Sequence, residues 1–81
     1  MTDIVKIAKI FLSDVDKNKI LSTLETINLT NQEKTIIIQT ELNGLRLYEM
    51  CDVFSLSIDS ISHIKRNAMQ KIGIFLARNL Q

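Results

Sequence analysis

Few side chains in this sequence are spaced for chemistry. His63 follows Asp59 by one helical turn, which would set an imidazole beside a carboxylate, a pairing that serves a general base or a metal ligand. No second histidine and no second cysteine is present to complete a site around it. Cys51 has no partner for an internal disulfide, which fits a reducing, cytoplasmic compartment. Glycine-rich phosphate loops, clustered carboxylates and a nucleophile–base pair are all missing. The chain therefore reads as a non-enzyme with no cofactor and no metal. What remains is electrostatic. Residues 45–81 carry five basic and three acidic side chains, whereas residues 1–44 carry five basic and six acidic ones. The positive excess lies late in the chain, as Lys65, Arg66, Lys71 and Arg78 against Asp59.

The elements that must position these charges are helical. The 81 residues allow a single domain, 1–81, and 46% of them are apolar, enough for one small core. Proline is absent and glycine appears twice, which favours helices over a turn-rich β fold. The expected fold class is an all-α bundle of about five helices. Residues 1–28 hold two of them and would serve packing or dimerisation. In the first, Asp3, Lys6, Lys9 and Ser13 form a narrow wet stripe beside a wide apolar face. The segment Ile4–Leu12 is far shorter than the roughly 20 apolar residues a bilayer span needs, and no secretory signal is visible. No membrane partner is expected. Ser13–Asp16 then supplies cap residues, and a second helix runs to about Ile27 with Ile20, Leu24 and Ile27 on one face.

Thr30 and Glu33 have the spacing of a capping box, which starts a third helix from about Asn31 to Leu42 despite the β-branched Ile36, Ile37 and Ile38. Asn43 and Gly44 end it, since both tolerate the left-handed backbone of a helix C-cap. Leu47, Met50, Cys51 and Phe54 make the inner face of the next helix. Ser57 then caps another, whose inner face is Ile61, Ile64, Ala68, Ile72 and Phe75. Two helices joined by so short a turn form a helix-turn-helix, here from Leu47 to about Ile72. Such a unit needs a small residue where its helices nearly touch, and Cys51 fills that place; it needs an apolar residue in the turn, and Leu56 fills that one. Ile58, Asp59, Ser62, His63 and Arg66, with Lys65 beside them, fall on the outer face, the one that enters the major groove of DNA.

The segment "LTNQEKTIIIQTELNGLRLYEMCDVFSLSIDSISHIKRNAMQKI" (Leu29–Ile72) resembles region four of bacterial sigma factors, and almost equally the LuxR-type DNA-binding domain. The resemblance rests on "LTNQE", "LYEMCDVFSLS" and "ISHIKRNAMQKIGI", and places the unit in residues 29–81. It implies that the helix starting near Ser57 reads bases through Ile58, Asp59, Ser62 and His63. It makes Arg46, Lys65 and Arg66 candidate phosphate contacts. Sigma region four usually carries arginines where this chain has Ile58, Ser60 and Ser62, so a lone copy is expected to bind DNA weakly.

The expected function is DNA-binding transcriptional regulation in a bacterium or its phage, with double-stranded DNA as partner and a homodimer as the working form. Ile4, Ile7 and Phe11 at one end, and Ile74, Phe75, Leu76 and Leu80 at the other, offer surplus apolar surface, part of which must pack internally and the rest of which is available for pairing. The alternative is a sigma-like adaptor that meets RNA polymerase or another regulator through protein contacts and barely touches DNA.

Overall fold

The computed structural model describes residues 3–14 and 16–79. Five α-helices run through them: α1 (Ile4–Leu12), α2 (Lys17–Thr26), α3 (Asn31–Ile37), α4 (Leu47–Phe54) and α5 (Ile58–Asn79). No strand occurs among the described residues. The chain is an all-α bundle, and its radius of gyration of 12.3 Å is close to the roughly 12 Å expected of one compact domain this long.

Local chemistry starts each helix. The Val5 backbone N–H donates to Asp3 and the Lys19 N–H to Asp16, so each aspartate side chain caps the helix that follows it. The capping box is complete. The Glu33 N–H donates to Thr30 Oγ1 at 3.1 Å, and the Thr30 N–H donates to Glu33 Oε1 at 2.8 Å. After Ile37 the helix widens into a π-helical turn, Ile38–Leu42, where the Thr40 hydroxyl donates to the Ile36 carbonyl. Gly44 closes the segment at φ +75°, the left-handed backbone expected there.

Two apolar clusters hold the bundle. The larger joins Ala8 and Leu12 of α1, Ile20 and Leu24 of α2, Ile27, Ile37, and Ala68, Met69 and Ile72 of α5. The smaller joins Ile36, Met50 and Ile61, from α3, α4 and α5. Helices α3 and α5 contribute to both, and α1, α3 and α4 pack along α5. Ile20, Leu24, Ile36, Ile37, Met50, Ile61 and Ile72 are essentially sealed from water. Burying each such side chain contributes about 1.5–3 kcal/mol.

Two expectations change and a third is refined. Cys51 is half-buried, not sealed; Met50, one position earlier, takes the centre of the α4–α5 contact, and Cys51 flanks it with Leu47 and Phe54. A close helix approach lies elsewhere. A Cβ on Gly73 of α5 would stand 2.1 Å from the Ile4 carbonyl oxygen, so α1 closes onto α5 at a point only glycine permits. Of the two ends named as surplus apolar surface, Phe11, Phe75 and Leu76 are the part that packs internally, against the larger cluster. Ile10 and Ile74 stay exposed, at 68% and 44%. Leu80 lies outside the described residues.

Candidate nucleic-acid interface

Helix α4 stops because Ser55 adopts a left-handed backbone, φ 54° and ψ 43°, and donates its N–H to the Cys51 carbonyl. Leu56 follows and packs half-buried against the smaller cluster. Ser57 then caps α5, its Oγ accepting the Ser60 N–H at 3.2 Å. Left-handed serine, apolar plug and serine cap turn the chain from α4 into α5 within three residues. Ile61 at 0% exposure locks the second helix against Met50 and Ile36.

With Ile61 and Ala68 pointing inward, the opposite crest of α5 faces solvent. Ile58, Asp59, Ser62 and His63 are all exposed, as is Arg66 one turn on. No ion pair joins His63 to Asp59 among the described residues. Nor do three or more His, Cys, Asp or Glu side chains come together there in a way that could hold a metal ion. The crest is a row of short polar groups with one exposed isoleucine. Such a row can make hydrogen bonds and apolar contacts to a surface laid along it, but with Asp59 offsetting Arg66 it offers little net charge.

The three candidate phosphate contacts are placed differently from one another. Arg46 is exposed just ahead of α4, where its backbone N–H donates to Glu49 Oε2 at 3.2 Å. Arg66 is exposed on the crest. Lys65 is turned aside: its ammonium lies 3.1 Å from Glu41 Oε1 of the π-helical turn, with only 21% of the side chain exposed. Glu41 Oε1 is itself buried and takes no aligned hydrogen bond, so the contact is an ion pair without a directed bond. Lys71 is also engaged, 2.8 Å from Glu33 Oε1.

Two grooves flank the crest. One runs between α5 and α1, with Val5, Leu47 and Met69 as apolar walls and Lys9, Ser62, Lys65 and Arg66 around them. The other lies toward α3, where Gln32 and Leu56 meet Asp59, Ser60, His63 and Ile64. Lys9 and Gln32 are therefore neighbours of the crest that sequence reading did not pick out. Lys9 showed only as part of a wet stripe, and Gln32 only as a residue inside the capping box.

Comparison with family models, curated proteins and solved structures returned no match. Among the described residues, no helix is long and apolar enough to cross a membrane.

Proposed function

We propose that this chain is a DNA-binding transcriptional regulator whose α5 enters the major groove. The observation that carries the reading is the turn itself. The left-handed Ser55, the Leu56 plug and the Ser57 cap seat α5 against α4 while Ile58, Asp59, Ser62, His63 and Arg66 stay exposed in one row. An α-helix presented by a helix-turn-helix fits the width of the major groove. Ser62 and His63 supply donors and acceptors for base edges, and Ile58 an apolar contact for a thymine methyl group. Arg46 and Arg66 supply cations for the backbone.

The working form is a homodimer. A good bidentate base contact is worth about 1–3 kcal/mol, and this crest has few groups able to make one. Specific binding needs about 4–10 kcal/mol over non-specific binding. A second copy related by a two-fold axis supplies the difference by adding a second α5 one DNA turn away.

A second reading has its own observation. Of the four cations in α5, Lys65 and Lys71 are already paired with Glu41 and Glu33. That shortage suits a sigma-like adaptor that meets RNA polymerase or another regulator through protein surfaces. Titration of the full chain against random and promoter-rich duplexes across a salt series separates the two. A regulator binds at low salt, loses affinity steeply as salt rises, and scatters light as a dimer on DNA. An adaptor shows no measurable duplex binding even at low salt.

A further inference from the structure

We propose that α1 supplies part of the grip on duplex DNA, with Lys9 and Arg66 receiving a backbone phosphate across the groove between α1 and α5, in place of Lys65. The proposal rests on the reading of α5 as the helix that enters the major groove.

Lys65 cannot serve as a full phosphate contact where it stands. Its ammonium already faces Glu41, so the pair presents no net charge, and drawing Lys65 away would leave a buried carboxylate oxygen without its cation. Lys9 and Arg66 differ on both counts. Each is exposed, and neither takes part in an ion pair among the described residues. They line the same groove, whose walls are Val5, Leu47 and Met69. Long cationic stems lie along such apolar walls while their charged ends reach into water. Two unpaired cations beside an apolar trough make a place for one anion between them.

The occupant follows from continuity. Ser62 lines this groove and also stands on the exposed crest. A strand whose base edges are read at Ser62 carries its sugar-phosphate backbone along the flank of the same crest, where Lys9 waits. The backbone that carries Lys9 is fixed in advance. Ala8 next to it is fully buried, and the Ile4 backbone is pressed against Gly73. Lys9 is thus held on a packed helix, which lowers the ordering cost of the contact.

The test is fluorescence anisotropy of the full chain on a labelled random-sequence duplex over a salt series. Each lost phosphate contact flattens the slope of log affinity against log salt by about 0.9. Lys9→Gln and Arg66→Gln should each do so, and the double variant should lose about twice as much. A Glu41→Gln, Lys65→Gln variant removes the internal pair together and should leave the slope unchanged. So should Lys19→Gln, which lines a separate groove beside Phe11 and Leu76 and controls for bulk charge. Melting curves verify that each variant is folded. If the wild type binds with a clear salt slope and Lys9→Gln matches it, α1 has no part in the grip, while the DNA-binding reading stands. If Lys19→Gln flattens the slope as much as Lys9→Gln, or removal of the Glu41–Lys65 pair does, the effect is not local and the proposal is wrong. A wild type with no salt-dependent duplex binding overturns both this proposal and the reading beneath it.

Discussion

The Lys71 ammonium sits 2.8 Å from Glu33 Oε1, the same oxygen that accepts the Thr30 backbone N–H. One carboxylate therefore closes the capping box of α3 and ties α3 to α5. It does so from a site where the glutamate is 5% exposed. Burial alone would push its carboxyl up. The hydrogen bond from Lys71, the Thr30 N–H and the nearby Lys71 charge outweigh that, and hold it below the ordinary 4.5.

A depressed acid stabilises the folded state above the unfolded pKa, and that contribution is lost as pH falls through the folded value. Glu33→Gln keeps an acceptor oxygen for Thr30 but not the charge, so with Lys71 partly exposed it should cost up to about 1 kcal/mol at pH 7. Glu33→Ala should cost about 1.5–3 kcal/mol, the range for hydrogen bonds to charged groups. The gap between wild type and Glu33→Gln should close as the pH drops well below 4.5. Urea unfolding at several pH values checks this. A gap that persists in acid would mean that the charge contributes nothing.

Gly73→Ala should destabilise the protein, although alanine is the better helix former by about 1 kcal/mol. The added methyl would meet the Ile4 carbonyl oxygen at 2.1 Å, and backbone cannot swing aside as a flexible side chain can. The net loss should be about 1–3 kcal/mol, the usual cost of overpacking. A raised melting temperature would show that α1 can stand away from α5 at no cost.

Met50 and Cys51 are neighbours with different duties, and paired truncations separate them. Met50→Ala opens a hole between Ile36 and Ile61 and should cost about 2–5 kcal/mol. Cys51→Ala removes a half-buried sulfur beside that contact and should cost under about 1 kcal/mol. Equal losses for the two alanine variants, measured by denaturant midpoint, would place Cys51 at the centre of the contact after all.

Ser55 holds a left-handed backbone that costs a non-glycine residue about 1–2 kcal/mol. Ser55→Gly should relieve most of this, offset in part by the freer unfolded chain, for a gain of up to about 1 kcal/mol. Ser55→Val should lose about 1–2 kcal/mol. If valine is tolerated, the turn has another conformation within easy reach.

The helices were legible because their signals are local. The Thr30–Glu33 box, the Ser57 cap and the three-to-four spacing of Ile61, Ile64, Ala68 and Ile72 all act within a turn or two, so the sequence carries them whatever the packing. The features that escaped depend on what lies across the core. Gly73 looks like a weak point inside a helix until the Ile4 carbonyl is seen above it. Lys65 belongs to the crest by periodicity, but Glu41 of the π-helical turn, far back in the sequence, claims it. The wider turn has no sequence signature among Ile38–Leu42 that spacing alone would show. Met50 and Cys51 both fit the inner face of α4, and only the final rotation of that helix decides which one is central. The crest residues Ile58, Asp59, Ser62 and His63 were legible as a surface. Lys9 and Gln32 were not, because their nearness to that surface is tertiary.

Amide chemical-shift mapping of the uniformly nitrogen-15-labelled full chain, titrated with duplex DNA at low salt, tests the role of α5 most directly. If α5 enters the major groove, the largest shifts should fall on Ile58 to Arg66 and on the Arg46–Leu47 entry to α4. The amides of α2, from Lys17 to Thr26, should stay still. Shifts centred on α2, or no shifts under conditions where other basic helical domains bind DNA, would contradict a DNA-reading α5.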